Sequence, residues 1–503
     1  MITGDRTLIR GGRVLPHSRA ALIEADLLVE AGRIAAIEPS GRIGLGDARE
    51  IDARDRILIP GLLNAHMHGH GNLSKGIGDR WTLELLLNAG PWASRLDNLD
   101  ATYVAASVGA VEMLLKGCTA CYDLFVAFPT PSLEGLEAVG RAYADAGMRA
   151  VVAPMMADRT FYAAIPGLTE ALPDELRDEV LRMTSASGEA NLQACEAALR
   201  AWPFDRDRIR PALAPTIPLH CADEFMVGAA RLAREHGIGY HTHLGESKVQ
   251  AVAGLQRYGV TLTRHLDQLG ILGPKFTAAH AVWLDADDIA RLGDRGASVA
   301  HNPGSNMRLG SGIAPARRML SAGVHLGIGT DAASCADNLN MFEAMRLASL
   351  ASHVRGPDYE TWLSTREVFA AATEGSAHLL GFSGTLGRLE VGYFADVVFL
   401  DATHINFTPL NDVVNQLVHT EDGSAVDKVM VGGKLVVDGG EILTVDRRAL
   451  RSRAQATAER LRRSHAAARD VAERLEPVVG AFCRGIAAKH YHIHNYGGPA
   501  ELV

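Results

Sequence analysis

Long apolar runs are missing from this 503-residue chain. None reaches the roughly 18 consecutive residues that a membrane helix needs, so no membrane-spanning segment is expected. The N-terminus, MITGDRTLIRGGRVLP, lacks the uninterrupted apolar stretch of a secretory signal. Cysteine is scarce as well, and six residues in a chain this long do not make a disulfide framework. Cys118 and Cys121 have CxxC spacing, but no second pair follows. Two buried small residues are expected there rather than a zinc or redox pair. These absences together predict a cytoplasmic protein. Nor does one sign of charge dominate: the net charge is −9 with both signs interspersed, which argues against a nucleic-acid or anionic-membrane partner.

What is present is an ordinary globular share of apolar residues, 47%, with a length prior of about three domains. The first sixty residues alternate apolar and polar positions between glycine turns, as short strands and hairpins do. The same texture returns at LGRLEVGYFADVVFLD (386–401) and VDKVMVGGKLVVDGGEIL (426–443). The two ends therefore predict one composite β-sandwich domain, residues 1–60 with 385–446. The middle, 61–384, repeats a helical pattern ended by glycine and followed by a brief apolar strand. Such units over about 300 residues predict a parallel sheet closed into a (β/α)8 TIM-type barrel. No fixed-period repeat runs through the sequence. Residues 447–503 are read as a C-terminal helical extension, its arginine-rich face solvated, and a tail.

Chemistry concentrates where the strands end. LIPGLLNAHMH ends in His66 and His68, and GIGYHTHLGE ends in His241, His243 and Glu246. FTAAHAVW carries His280, VAHNP carries His301, and LGIGTD ends in Asp331. Barrel enzymes build their sites from the C-terminal strand ends, so these groups converge on one mouth. Positions i and i+2 of a strand share a face, so His66 and His68 can grip one ion, with His243 and Asp331 adding ligands from across the barrel. Three imidazoles and a carboxylate suit zinc or iron(II) with one position left open. Taken singly, a buried histidine is more often a satisfied core residue, and Asp331 could cap a helix. Their joint placement outweighs those readings.

The residues also match a known pattern. PGLLNAHMH, EMLLKGCTACYDLF, HTHLGES, AAHAVWL, VAHNPGSNMRLGSGIAPARRML and GIGTDAASCADNLNMFEAMR recur in order and spacing. From about residue 8 to 445 the chain resembles the amidohydrolase superfamily, in the branch of methylthioadenosine/S-adenosylhomocysteine deaminases and s-triazine hydrolases. The resemblance implies one divalent metal, zinc or iron, held by His66, His68, His243 and Asp331. It implies His280 beside the attacking water and Glu246 facing the substrate. The H-x-x-E spacing selects His243 over His241. Bi-metal relatives carry a carboxylated lysine on the fourth strand, and RIRPALAPTIPLH has no lysine.

These parts imply a metal-dependent aminohydrolase. Asp331 accepts a proton, His280 orients the nucleophile, and Glu246 protonates a ring nitrogen and the departing ammonia. The substrate class is a planar amino-substituted nitrogen heterocycle, and the resemblance implies a homo-oligomer. The alternatives are hydrolysis of a cyclic amide or amidine, or of a chloro- or alkylamino-substituted ring, in the same site. A non-catalytic scaffold would have lost ligands. After the first HxH the chain departs from the family with GHGNLSKGIGDRW, where His70, Asn72 and Lys75 are candidates for substrate contact against a solvated loop. Trp81, Trp92, Phe125 and Phe128 could stack on a ring or pack in the core. His301 and Asn302 are expected in the pocket wall, Ser334 and Asn338 in the loop after the last ligand. The closing KHYHIHNY follows no barrel strand and is read as a tail over a pocket or a neighbouring subunit.

Overall fold

A computed structural model describes residues 6–126 and 130–496. Phe128 lies outside the described residues. Strands β1 (Arg6–Val14), β2 (Ile23–Glu30), β3 (Arg33–Pro39), β4 (Arg49–Asp52) and β5 (Arg56–Pro60) precede the barrel. The barrel strands are β6 (Leu62–Met67), β7 (Cys118–Val126), β8 (Arg149–Met156), β9 (Ile209–Pro215), β10 (Gly239–Leu244), β11 (Phe276–His280), β12 (Ser298–His301) and β13 (His325–Ile328). After them come β14 (Val397–Asp401), β15 (Val426–Val431), β16 (Lys434–Asp438) and β17 (Glu441–Ile442).

Strands β6 to β13 stand in sequence order, every neighbouring pair parallel. The end strands are joined by side chain and turn. Asn64 donates from Nδ2 to Thr330 Oγ1 at 2.8 Å and accepts from the Thr330 amide at 3.1 Å. The Asp331 amide donates to the His66 carbonyl at 2.9 Å.

Strand alternation explains the two-sided burial that a parallel sheet needs. Cys121 of β7, Val152 of β8 and Leu213 of β9 pack outward with helical Val104, Leu136 and Phe225. Their neighbours Ala120, Tyr122, Val151, Ala153, Ala212 and Ala214 fill the enclosed space. Between strands, helices Leu133–Ala146 and Lys248–Tyr258 end at Gly147 and Gly259, both left-handed. Helix Ala286–Asp294 starts with a capping box between Asp285 and Asp288.

The remaining strands form one mixed sheet in the order β17-β16-β15-β14-β5-β1-β2-β3, with β4 also on β1. Both chain ends meet where β5 pairs antiparallel with β14, Pro60 opposite Val397 and Arg56 opposite Asp401. The composite β domain expected from the two chain ends is hydrogen-bonded as one mixed sheet. Leu27 and Val29 of β2 share a core with Phe399 and Met430.

Helices Arg447–Ser464 and Ala466–Ala487 follow. The arginine face expected to be solvated reaches back to the barrel helices. Arg453 pairs with Asp100 at 2.6 Å, Arg460 with Asp97, and Arg474 with Glu175 at 2.9 Å. Exposed pairs of this kind are screened by solvent and contribute little to stability. No helix of the described residues is long and apolar enough to cross a membrane.

Candidate metal centre and active site

The strand ends bring His66, His68, His243, Glu246, His280 and Asp331 together. His68 follows β6 directly, Glu246 lies two residues beyond β10, and Asp331 three beyond β13. Asp331 Oδ1 is 3.2 Å from His68 Nε2 and 3.5 Å from His66 Nε2. His68 and His243 approach through their Nε2 atoms at 3.1 Å. His280 Nε2 lies 3.7 Å from both Asp331 Oδ2 and Glu246 Oε2.

Main-chain carbonyls fix the tautomers. His68 Nδ1 donates to Leu124 O at 2.8 Å, and His243 Nδ1 to Thr216 O at 2.6 Å. With those protons on Nδ1, both Nε2 atoms present lone pairs to one another, which repel unless a cation or a proton lies between. Both His66 nitrogens are buried and have no hydrogen-bond partner. Three imidazole nitrogens converging with a carboxylate, both nitrogens of one imidazole without a hydrogen-bond partner, are the donor set of a divalent transition-metal site. His66, His68, His243 and Asp331 fit such an ion on this ground.

Burial dominates the electrostatics. It pushes the His66 imidazole down to about 3, and His243 and His241 well below the ordinary value. His280 is lowered for the same reason. Burial opposes charge on Asp331 and His68 too, but their mutual contact outweighs it. Asp331, also touched by His66, is held well below the usual carboxylate range, and His68 is raised. Glu246 goes the other way. Burial first, then Asp331 and Glu84, push its carboxyl well up, and Oε2 has no hydrogen-bond partner.

Two residues of the cluster sit in the left-handed region, His280 at φ 68° and Asp331 at φ 66°, with Ala281 at 51°. Non-glycine residues hold such angles only when their surroundings fix them. The Ala281 amide donates to Leu244 O at 3.1 Å and Trp283 to Gly245 O at 2.8 Å, tying this turn to the one that carries Glu246. Ser305 Oγ donates to Asp331 Oδ2 at 2.6 Å, and His280 Nδ1 to Asn306 Oδ1 at 2.9 Å. Ser305 and Asn306 had no assigned role in the sequence reading, although both stand in the quoted VAHNPGSNMR.

The departing loop is buried at its start, Gly69 to Asn72, and solvent-exposed further on at Lys75, Gly76, Asp79 and Arg80. Gly69–Gly71 is a buried 3₁₀ turn, and His70 accepts from the Val126 amide at 3.3 Å. Its ring lies 5.4 Å from His68 and 5.7 Å from Phe125, and burial lowers it to about 3. Gly69 is required: a Cβ there would stand 2.3 Å from Asp123 Oδ2, while its amide donates to Asp123 Oδ1 at 2.7 Å. Asn72 donates to Ala105 O at 3.0 Å, and Lys75 pairs with Glu112, so both are engaged with helix Leu99–Leu115.

Other candidates spread further. Trp81 stacks edgewise on Trp92 at 6.2 Å, and neither joins the histidine cluster. Ser334 is buried behind Gly71, and Asn338 ties the following loop by accepting from the Asn340 amide at 2.9 Å. His301 and Asn302 are buried, and burial lowers His301 to about 4. Asn302 Oδ1 lies against Gly329, where a Cβ would come within 2.3 Å. His241 lies 4.9 Å from the His66 ring and edge-on to Tyr122 at 4.6 Å, with neither nitrogen bonded. Cys118 and Cys121 are buried free thiols.

The C-terminal tail docks over the His280 turn. Trp283, fully buried, meets Tyr496 edge-on at 4.9 Å and Tyr491 at 6.1 Å. Asn495 donates to Val282 O at 2.6 Å and accepts at its carbonyl from the Ile313 amide at 2.7 Å. His492 bonds Asp285 at 2.7 Å.

Residues 57–436 match the Amidohydrolase family. A 5'-deoxyadenosine deaminase of Methanothermobacter thermautotrophicus is 33% identical over 92% of this chain and 98% of its own length. A 5-methylthioadenosine/S-adenosylhomocysteine deaminase of Thermococcus kodakarensis is 32% identical over 86% and 93%. Among solved structures, an atrazine chlorohydrolase from Arthrobacter aurescens TC1 complexed with zinc superposes with a TM-score of 0.80. It is 27% identical, over 90% of this chain and 100% of that one.

Proposed function

The chain belongs to the amidohydrolase family, and from that membership we propose a zinc-dependent aminohydrolase that replaces an amino group on a nitrogen heterocycle by oxygen and releases ammonia. One observation carries the reading: a buried Glu246, its carboxyl pushed well up, sits 3.7 Å from His280 at the edge of a four-donor cluster.

In this reading His66, His68, His243 and Asp331 hold the ion. When bound, a divalent cation supplies Lewis acidity, which brings the pKa of a water toward neutrality. The lysine-free fourth strand, β9, supports one ion rather than two. Asp331 stays ionised and can accept the proton of the attacking water through one carboxylate oxygen. His280, kept neutral by burial and oriented through Nδ1, offers Nε2 to the same region. Glu246 enters protonated, gives its proton to a ring nitrogen as the tetrahedral carbon forms, and relays a proton to the leaving amine. Water and the aminated ring become the oxo-ring and ammonia, so the reaction needs no further reactant.

We assign residues 61–384 to the catalytic barrel, 1–60 with 385–446 to the composite sheet domain, and 447–503 to the extension. Six buried free thiols fit a cytoplasmic site of action, and a homo-oligomer is proposed on the family resemblance alone. His70 and Asn72 are proposed to shape the site's inner wall beside His68 and behind it.

The test is a panel of aminated purines, pterins, pyrimidines and triazines, assayed for ammonia with the zinc-loaded protein. Turnover without ammonia from every ring sinks the reading. Chloride release from chloro-triazines instead would favour the second one, which the likeness to the chlorohydrolase supports.

A further inference from the structure

His280 and Ala281 stand one after the other in the left-handed region, at φ 68° and 51°. Two such residues in a row, neither a glycine, keep that shape only where their neighbours enforce it. On the inner side the amides of the turn are engaged. Ala281 donates to Leu244 O at 3.1 Å, Val282 to Gly245 O at 3.1 Å, and Trp283 to the same carbonyl at 2.8 Å. Leu244 and Gly245 lead directly into Glu246. The turn therefore sets His280 against Glu246, whose Oε2 lies 3.7 Å from His280 Nε2.

The outer side of the turn is held by the tail, from beyond the family match at 57–436. Asn495, only 5% exposed, donates from Nδ2 to Val282 O at 2.6 Å, 213 positions back along the chain. Its other polar atoms are engaged too. The carbonyl accepts from the Ile313 amide at 2.7 Å, and Oδ1 faces both Arg355 Nη atoms at 3.4 Å. Arg355 is braced in turn on Ile313 O at 2.8 Å. Gly312, at φ 120°, makes room for this contact: a Cβ there would stand 2.7 Å from Asn495 O and 3.1 Å from Val282 Cγ1. Trp283 donates from Nε1 to Ser311 O at 2.8 Å, and its ring meets Tyr491 and Tyr496. His492 then bonds Asp285, which caps helix Ala286–Asp294.

We propose that Asn495 is a positioning residue of the candidate active site. By satisfying the Val282 carbonyl it holds the His280 turn against Glu246, and turnover depends on that hold. A buried carbonyl that loses its donor must find another partner or pay for its desolvation, which opens the turn two residues beyond His280. A small misplacement beside reacting atoms is enough to slow the chemistry. The inference rests on the role of His280 in the heterocycle reading, and Asn495 acts through that residue without touching substrate.

Asn495→Asp in the zinc-loaded full chain tests it, because this change keeps the side chain's shape and its Arg355 neighbour and deletes only the donor. Asn495→Leu removes the donor without adding charge and should behave alike. Hydrogen exchange read by mass spectrometry should quicken about tenfold or more in the peptide carrying the Ala281, Val282 and Trp283 amides, with Tm and zinc content unchanged. On the ring that the wild type turns over fastest, kcat should fall about tenfold or more while KM holds. Asn306→Ala removes the bond to His280 Nδ1. Its loss and that of Asn495→Asp should fall short of multiplying in the double variant, as expected of two groups that act on one residue. Arg453→Ala, which unties the extension from Asp100, should change neither exchange nor kcat. Wild-type exchange or kcat in both Asn495 variants, losses that multiply, a fall in zinc content, or the same response from Arg453→Ala overturns the proposal. The heterocycle reading fails separately, when the wild type turns over no ring, and leaves the exchange difference standing.

Discussion

His68 and His243 confront each other through Nε2 at 3.1 Å while each spends its Nδ1 proton on a main-chain carbonyl. Since the main chain sets the tautomer, both lone pairs face one space, which on the proposed reading a cation fills. His68→Ala should therefore lower zinc content from about one ion per chain by several-fold, read by elemental analysis. In the wild type, zinc at a hundred times its Kd should raise stability by about 2.7 kcal/mol. An unchanged metal ratio in the variant removes His68 from the ligand set.

Glu246→Gln keeps the shape of the side chain and removes its proton. Zinc should stay bound, and turnover should fall by roughly 10²–10⁴-fold. Retained activity at full zinc occupancy would break the proton-shuttle assignment.

Ser305→Ala takes away the hydroxyl that Asp331 Oδ2 accepts at 2.6 Å. Outer-shell partners of this kind typically hold about 10–100-fold in metal affinity or activity. A loss in that range, restored by Ser305→Thr, is expected. Wild-type zinc affinity and rate in Ser305→Ala would show the bond to be idle.

Asp288 gives a pH prediction away from the metal. Burial raises its carboxyl from 3.8 to about 6 in the folded chain. The native state then keeps a proton that the unfolded chain releases, so stability falls as pH rises through that window and levels off above it. The contribution is on the order of 3 kcal/mol. Asp288→Asn should show a flatter profile in chemical denaturation across the same range, and a profile parallel to wild type would reject the assignment.

The barrel and the converging histidines were legible because strand ends punctuate the sequence with HxH, HxH, H, H and D. The register of a two-residue period then places partners without any knowledge of tertiary contacts. The start of the loop after His68 shows why glycine is ambiguous in a sequence, because it marks two different things. It signals a flexible turn in general, yet Gly69 is glycine because Asp123 occupies the space of its Cβ. The docking of Asn495 on Val282 has no local pattern at all, since it depends on a segment far away in the chain. The pairing of β5 with β14 into one sheet, too, was visible only as two strand-rich ends, because alternation reports faces and not partners.

Strand β5 ends one residue before the strand that carries His66, and the Gly61 amide between them donates to Asp396 O at 3.0 Å. His66 and His68 are thus anchored on a sheet whose other half is encoded some 340 residues later. During synthesis all eight barrel strands, β6 to β13, precede β14, so the strand that carries these two histidines gains the full support of its neighbouring sheet only after the barrel has been made.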